Sequence, residues 1–294
     1  MIGFIDIRNR RYADLRADSI KNGADFDNFK RWPYTCFKGR ILAELASILV
    51  FLLQFTPIHA NHITFFYALS GIIGALFLGS QNTQLILAGL IIFFLKNLPD
   101  WVDGFIARLK NQTSEEGKIL DPWGALVNSH AFIIGFGIYV FNTSNQVMYL
   151  YILILIIFLR AIDLRNYTFI QFMNGIINNE LKLKDQKNIE SSNTEQLPLT
   201  SKIISTESNN IGFLKSISKF VFNFLDDRSR SVDFVCLIIL LEVLNNQIYL
   251  SKYLMFGYLF KYLMIFFGGI YIVYYKKIPT KIHNSLFNQN ENLK

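Results

Sequence analysis

The stretch that decides the fold reads Asp100-Trp-Val-Asp103-Gly104-Phe-Ile-Ala107-Arg108, and after eight largely polar residues it continues Gly117-Lys-Ile-Leu-Asp121. Positions 100, 103, 104, 107 and 108 fall on one face of a helix, because neighbours on a helical surface recur every three or four residues. That face carries two carboxylates, two small residues and an arginine. Gly117 and Asp121 share a face of the next helix by the same spacing. The stretch therefore predicts two helices, joined by a polar turn, that bring three acids to one end.

Long apolar segments lie on both sides of this acidic stretch. A membrane-spanning helix needs about 20 apolar residues, and six segments come close to that length: 62–80, 83–107, 118–142, 147–164, 232–250 and 253–275. A seventh segment, 41–55, is shorter and contains Glu44, so we expect it in or near the membrane interface. The acidic stretch begins at the end of the second predicted span and continues into the third.

Composition supports a membrane protein. Hydrophobic residues make up 52% of the 294 residues and charged residues only 17%, whereas about a quarter of a soluble domain is charged. The net charge of +7 would suggest nucleic acid on a soluble protein. Here the basic residues lie between apolar segments, which favours a role in membrane topology and no nucleic-acid partner. Cys36 and Cys236 have no metal-binding spacing.

With six spans, the basic segments all fall on one side, which the positive-inside rule assigns to the cytoplasm. We therefore expect an all-α integral membrane protein with six transmembrane helices around a polar cavity open to the cytoplasm, preceded by an N-terminal amphipathic juxtamembrane helix. The predicted segments are a basic juxtamembrane region (1–60), core helices (61–179), a disordered insertion (180–210), an amphipathic helix at 211–225 with two further spans (211–275), and a cytoplasmic tail (276–294).

Three acids at the end of a membrane helix need a physical reason. An Asp at the bilayer centre costs on the order of 3 kcal/mol, and less near the interface, and clustered carboxylates also repel one another. Divalent cations with a preference for hard oxygen ligands, Mg²⁺ or Mn²⁺, relieve both problems, and two such ions can clamp a phosphoryl group. The alternative is a salt-bridged helix end, with Asp103 paired to Arg108 or Lys110. That alternative explains any one of these residues taken alone, but it explains the spacing of the whole stretch less well.

The stretch resembles the signature of the CDP-alcohol phosphatidyltransferases, D-x2-D-G-x2-A-R-x8-G-x3-D-x3-D, from Asp100 through Asp121 without a gap. Upstream, Asn61 and Thr64 resemble the Pro-Asn-x-x-Thr pattern at the start of the first core helix of the family, with Ala60 in place of the proline. The resemblance implies displacement of CMP from a CDP-linked alcohol by an acceptor, in phospholipid or surface-glycan biosynthesis. It also implies two Mg²⁺ or Mn²⁺ ions on Asp100, Asp103 and Asp121, and a CDP site formed by Gly104, Ala107, Arg108, Gly117, Asn61 and Thr64.

The resemblance breaks at Ala125, where the last aspartate of the signature, the expected base, should stand. Three alternatives follow. Another group substitutes: His130 is a titratable candidate, Asn128 is an amide and not a base, and Glu115 or Glu116 would reach in from the loop. In the second alternative, the acceptor is already ionised, as a phosphate or phosphonate oxygen is. In the third, the protein binds CDP-alcohol or lipid without turnover.

Other residues support weaker hypotheses. Arg160, Asp163 and Arg165 form either an interfacial ion pair or an anion pocket for a phosphorylated or lipid acceptor, in which Arg160 and Arg165 would bind. Gly257, Gly268 and Gly269 favour close helix packing, which would also allow a homodimer. A transporter would place its charges near the midplane and show related halves, and this chain shows neither.

Overall fold

The structure is a computed structural model that describes residues 2–21, 26–30, 33–164, 229–245, 249–275 and 277. These residues form helices and no strand, which confirms the predicted all-α class. In chain order the helices are α1 (Phe4–Lys21), α2 (Pro33–Leu53), α3 (Ala60–Leu78), α4 (Thr83–Phe94), α5 (Asn97–Leu109), α6 (Glu115–Ser144), α7 (Met148–Ala161), α8 (Ser229–Leu244) and α9 (Ser251–Ile270), and α9 continues into a π-helical turn at Tyr271–Tyr275.

Each of the six apolar segments predicted to span the membrane is largely helical in the structure. Within the described residues, four helical stretches are long and apolar enough to cross a bilayer: Ala60–Leu78, Thr83–Leu109, Glu115–Ser144 and Ser251–Tyr275. Helix α7 is apolar but shorter, so the count of six spans stays a prediction. The insertion 180–210, the amphipathic helix 211–225 and, except for Lys277, the tail 276–294 lie outside the described residues.

Helix α3 shows why a bilayer suits this fold. One face buries small and polar residues such as Thr64, Ala68 and Gly71. The opposite face exposes Phe65 and Leu76, which are 60% and 69% accessible, together with Leu69 and Ile72. Soluble proteins rarely expose a continuous apolar surface of this kind, whereas lipid tails cover it at no cost.

The segment 83–107, predicted as one span, is divided into two helices. Helix α4 ends at Phe94 and α5 begins at Asn97, because Pro99 has no N–H to donate to the carbonyl of Leu95. Instead, the Leu98 N–H donates to that carbonyl at 2.8 Å in a tighter turn. The break places Asp100 in the first turn of a new helix.

The turn between α5 and α6 is fixed by backbone and side-chain bonds. Asn111 takes a left-handed conformation with φ 54°, and the Gln112 N–H donates to the Ala107 carbonyl at 2.8 Å, which is a common helix ending. Ser114 caps α6 by accepting from the Gly117 N–H at 3.1 Å. Lys110 Nζ donates to the carbonyls of Thr56 at 2.7 Å and Ile58 at 3.0 Å, so this turn is held against the start of α3.

Close packing of α3 on α6 positions the acidic motif, and small residues allow it. A Cβ added to Gly135 would lie 2.8 Å from Ala75 Cα, and one added to Gly71 would lie 2.6 Å from Asn128 Cγ. We call this contact the α3–α6 seam. A Cβ on Gly268 of α9, by contrast, would meet nothing within 4 Å among the described residues. Nothing in the described part of the structure supports the homodimer that the glycines of α9 would allow.

The chain divides into two compact units. The described residues of 1–153 and 226–255 form the first, and those of 154–225 and 256–294 form the second. The acidic stretch, the α3–α6 seam and helices α1 and α2 all belong to the first unit.

Candidate active site

Three helices of the first unit contribute to one acidic cluster. The carboxyl groups of Asp100 on α5, Asp121 on α6 and Asp103 on α5 interact electrostatically with one another. Tyr67 on α3 interacts with all three acids. Asp103 is buried, Asp100 is half-buried and Asp121 is exposed. The cluster therefore extends from the protein interior to its surface.

Asp103 is held by the first core helix. Thr64 Oγ1 donates to Asp103 Oδ2 at 2.6 Å, and the same hydroxyl lies 3.4 Å from the Ala60 carbonyl. We predicted a nucleotide contact for Thr64, and in this structure its partner is the carboxylate. A short bond to a carboxylate is one of the stronger hydrogen bonds in proteins, so Thr64 fixes the direction in which Asp103 points.

Gly104 leaves room beside the acids. A Cβ added there would meet only Arg108 Nη1, at 3.6 Å, which is an ordinary contact. The glycine is thus not required by the packing of the described residues. Ala107 is half-buried and Arg108 is exposed. The free space beside Gly104 is where a ligand would approach the helix backbone.

Asn61 and Gly117, two residues predicted to line the nucleotide site, face each other across α3 and α6. A Cβ added to Gly117 would lie 3.3 Å from Asn61 Oδ1. The predicted nucleotide residues therefore surround the acids from three helices, with Asn61 and Thr64 on α3, Gly104 on α5 and Gly117 on α6.

Helix α1 packs over the same site. Ile7 is buried in one apolar cluster with Val102 and Ile106 of α5, and the Arg11 guanidinium stands 4.2 Å from the ring centroid of Trp101. Asp14 accepts from Arg108 Nη2 at 3.2 Å. In the alternative of a salt-bridged helix end, Asp103 pairs with Arg108 or Lys110. Arg108 bonds Asp14 and still interacts electrostatically with Asp103, whereas Lys110 bonds backbone carbonyls.

The model of the CDP-alcohol phosphatidyltransferase family matches residues 57–184. This part of the chain, fewer than half of its residues, is therefore similar to that family. The match begins just before α3 and contains the acidic cluster, and its part beyond Leu164 lies outside the described residues. It confirms the resemblance predicted from the acidic stretch. The search of curated proteins returned no match.

The family is generally dependent on divalent metal, and the donor set of this chain fits such an ion chemically. Three carboxylates that interact electrostatically provide hard oxygen ligands and favour a positive counter-charge. In the part of the chain that the structure describes, however, no three His, Cys, Asp or Glu side chains form a ready-made metal site. Metal binding by Asp100, Asp103 and Asp121 stays a prediction.

No carboxylate stands where the family signature has its last aspartate. Ala125 is exposed one turn after Asp121. Asn128, one turn further, is buried, and its Nδ2 donates to the Tyr67 carbonyl at 2.7 Å, so it joins α6 to α3. Glu115 pairs with Lys118 at 2.6 Å, and Glu116 is exposed in the same first turn. None of these contacts supplies the missing acid.

His130 lies in different surroundings from the acids. Its Nδ1 is 2.9 Å from the Leu126 carbonyl, and its side chain lines an apolar groove of about 470 Å³ between α3 and α6 that includes Trp123 and Ile134 but none of the three aspartates. Nine residues separate it from Asp121, about 14 Å along a helix axis. This placement does not support His130 as the replacement base.

The predicted acceptor residues lie in the second unit. Arg160 donates to the Tyr262 hydroxyl, and its guanidinium stands 5.2 Å from the centroid of that ring. Lys261 Nζ stands 5.3 Å from the same centroid, so two cations flank Tyr262. Asp163 is buried, and Arg165 lies outside the described residues. Acceptor binding by Arg160 and Arg165 stays a prediction.

Sequence reasoning missed three contributors to the site. Tyr67 follows Asn61 and Thr64 on the same face of α3, so extending that face would have found it. Lys96, which interacts electrostatically with Asp100, stands one turn before it. Asp14 gives no such signal, because 94 residues separate it from Arg108.

Proposed function

We propose that the protein transfers the phospho-alcohol group of a CDP-activated alcohol to an acceptor and releases CMP. One observation carries the proposal: acids from α5 and α6 all interact electrostatically with Tyr67, and a glycine of the same motif leaves space for a ligand. The family match supports the same reaction class. We further propose that this end of the bundle faces the cytoplasm and that the product enters phospholipid or surface-glycan synthesis.

Each residue of the cluster has a defined role in this proposal. Asp100, Asp103 and Asp121 would hold two Mg²⁺ or Mn²⁺ ions, which when bound supply positive charge to the phosphoryl oxygens and the leaving group. Thr64 keeps Asp103 oriented through its 2.6 Å bond. Gly104 admits the pyrophosphate close to α5, and Ala107, Gly117 and Asn61 line the nucleotide. Arg108 would exchange Asp14 for a phosphate, which its planar guanidinium fits equally well.

The transfer itself makes one bond and breaks one. An acceptor oxygen bonds to the β-phosphorus while the bond from that phosphorus to the oxygen of CMP breaks. A hydroxyl acceptor must also lose its proton, and removal of a general base typically costs about 10²–10⁴ in rate. Because Ala125 cannot take a proton, we propose an acceptor whose oxygen is already ionised, such as a phosphate or phosphonate.

The second candidate function is binding of a CDP-alcohol or lipid without turnover. Ala125 is the observation that favours it, since the remaining residues would still hold nucleotide. A hydroxyl acceptor served by another base is the third reading, and the position of His130 gives it little support.

Metal-dependent CMP release from a panel of CDP-alcohols tests these readings. The purified full chain is assayed with hydroxyl and phosphate acceptors, with Mg²⁺ or with chelator, as wild type and as Ala125→Asp. Turnover by the wild type with anionic acceptors supports the proposal. Turnover only by the substituted protein, with hydroxyl acceptors, supports binding without catalysis. If CDP-alcohol neither binds nor reacts with either protein, the proposed function is wrong.

A further inference from the structure

Tyr67 of α3 is a buried polar side chain next to the acidic cluster. It is only 4% exposed, and it interacts electrostatically with Asp100, Asp103 and Asp121. A phenol can donate one hydrogen bond and accept others, and burial of a polar group is costly unless such a bond is made. A buried tyrosine beside three carboxylates is therefore expected to have a hydrogen-bond partner.

The packing of α3 on α6 fixes the position of the Tyr67 ring. A Cβ added to Gly124 of α6 would lie 3.1 Å from Tyr67 Cδ1 and 3.4 Å from Thr64 Cγ2. Thr64 in turn donates to Asp103 at 2.6 Å. The ring is thus confined by helix packing, on the same part of the α3 surface as the residue that orients Asp103.

The Tyr67 hydroxyl makes no hydrogen bond within the described ranges of the chain. Tyr67 accepts two hydrogen bonds, from Asn128 Nδ2 and from Ser70 Oγ, each at 2.7 Å, and both end on its backbone carbonyl. The hydroxyl is not one of the described side-chain atoms that are unbonded and fully enclosed by protein. Open space beside it is therefore within reach of a ligand.

Tyr139 of α6 shows how a buried tyrosine that serves packing differs. It is 2% exposed, and its hydroxyl donates to Glu242 Oε2 at 3.1 Å. Its polar atom is satisfied by the protein, as is usual for a buried tyrosine. Tyr67 is buried to a similar degree without such a bond, so its hydroxyl is left to a group that the described protein does not supply.

Tyr67 stands at the inner end of the candidate site. Asn61 and Gly117, which we expect to line the nucleotide, face each other nearer the start of both helices. Further along, Asn128 covers Gly71, where an added Cβ would lie 2.6 Å from Asn128 Cγ, and closes the α3–α6 seam. Along both helices, the acidic cluster therefore lies between the expected nucleotide residues and Tyr67.

The neighbour of Gly124 on α6 is Ala125, which stands where the family signature has its last aspartate. At this level of the seam, α6 lacks a carboxylate and α3 offers a phenol. A phenol has an ordinary pKa of about 10, so it keeps its proton at neutral pH and does not act as the base. It can donate to an oxygen that is already ionised, and such charge-assisted hydrogen bonds are among the stronger ones.

We propose that Tyr67 binds the acceptor, by donating a hydrogen bond from its hydroxyl to an ionised oxygen of a phosphate or phosphonate group. The inference rests on the proposed function and names the residue that recognises the anionic acceptor. Tyr67 keeps its proton throughout, while the acceptor oxygen bonds to the β-phosphorus and CMP leaves. The bond therefore contributes to binding and orientation of the acceptor, and not to proton transfer.

Binding of anions to the purified full chain, in the presence of Mg²⁺ and CMP, tests the proposal without turnover. Two probes compare the possible sources of the anion: methylphosphonate, which is soluble, and lysophosphatidic acid, which is a lipid. The probe that the wild type binds more tightly identifies the source. Tyr67→Phe should weaken binding of that probe by about tenfold or more, as expected for a hydrogen bond to a charged group. The affinities for CMP and Mn²⁺ should not change.

Tyr139→Phe is the matched control, because it also removes one buried hydroxyl from the first unit. It should lower the thermal unfolding temperature, since Glu242 loses a donor, and it should leave anion binding unchanged. Tyr67→Phe should leave the unfolding temperature unchanged or raise it, since no described bond within the protein is lost. The two variants thus separate a hydroxyl that holds the fold from one that holds a ligand.

Several results would overturn the proposal. Equal anion affinity in the wild type and in Tyr67→Phe would exclude the bond to the acceptor. An equal loss of CMP or Mn²⁺ affinity would assign the hydroxyl to the nucleotide or to the acids. A fall in unfolding temperature as large as that of Tyr139→Phe would reveal a structural partner. If the wild type bound CMP but neither anion, this inference alone would be wrong. If it bound no CMP, the proposed function would be wrong as well.

Discussion

Gly104 and Gly135 lie in helices of the same unit, but a glycine stands at each position for a different reason. At Gly135, in the α3–α6 seam, an added Cβ would lie 2.8 Å from Ala75 Cα, so the approach of two backbones excludes any side chain. At Gly104, in the acidic motif, an added Cβ would meet only a flexible arginine at 3.6 Å. The first glycine serves the packing of the protein, and the second leaves space that the protein does not fill. Together they separate the part of the chain that builds the scaffold from the part that we expect to meet a ligand.

The largest effect should come from removing an acid beside Gly104. Asp100→Asn takes one charge from the cluster that we propose holds metal, so CMP release should fall by about 10²-fold or more, the loss of several kcal/mol of transition-state stabilisation. Glu115→Gln is the matched control, because Glu115 is an acid of the same region that pairs only with Lys118 among the contacts described. If both variants lost activity equally, the acids of the motif would have no specific role in the reaction.

Crossed substitution of the two glycines tests the comparison directly. Gly135→Ala should lower the free energy of unfolding by about 1–3 kcal/mol through overpacking and leave nucleotide affinity unchanged. Gly104→Ala should do the reverse. It should keep or slightly raise stability, because Ala favours a helix over Gly by about 1 kcal/mol, and it should weaken CDP binding. Thermal unfolding and CDP titration of both variants measure the pair. Destabilisation by Gly104→Ala would show that this glycine too serves packing.

A smaller effect is expected at the ion pair between Asp14 and Arg108. Both side chains are substantially exposed, at 41% and 59%, and exposed pairs contribute about 0.2–1 kcal/mol. If the nucleotide phosphate must displace Asp14 from Arg108, Asp14→Asn should tighten CDP binding about two- to fivefold. Asp27→Asn, which breaks the exposed pair with Arg16 at 2.9 Å, is the control. Weaker CDP binding in Asp14→Asn would instead make Asp14 part of the nucleotide site.

The smallest effect concerns how α1 is held beside the motif. Arg8 and Tyr12 of α1 both bond Glu44 of α2, at 2.6 Å and 2.8 Å. The Arg8 guanidinium lowers the pKa of the Glu44 carboxyl below its usual value. Because the pKa is lowered in the folded protein, the contact contributes stability above the ordinary pKa of Glu. That stability is lost as the pH falls through the lowered pKa. The protection of α1 amides from hydrogen exchange, corrected for the intrinsic pH dependence of exchange, should therefore fall at acidic pH, and Glu44→Gln should remove that pH dependence. If the protection of α1 changed with pH equally in the wild type and in Glu44→Gln, this contact would not be the cause of the pH dependence.

The helices were predictable from the sequence to the extent that local rules decide them. The six apolar segments are all largely helical because their length and composition leave few alternatives. The second is divided into two helices, and Pro99 was the signal for that break, which we did not use. The spacing from Asp100 to Asp121 predicted a shared site because helical periodicity fixes which residues share a face. Contacts between distant segments, such as Asp14 with Arg108 or Lys38 with Asp233, were not predictable, since nothing local couples residues 94 or 195 positions apart.

Binding of Mn²⁺ in the presence of CDP, followed by electron paramagnetic resonance on the purified full chain, tests the central claim most directly. We predict that wild-type protein binds Mn²⁺ more tightly when CDP is present, and that Asp121→Asn abolishes this binding while Glu115→Gln preserves it. Unchanged Mn²⁺ binding in Asp121→Asn, or no coupling between Mn²⁺ and CDP in the wild type, would contradict the claim that these carboxylates form a metal-dependent nucleotide site.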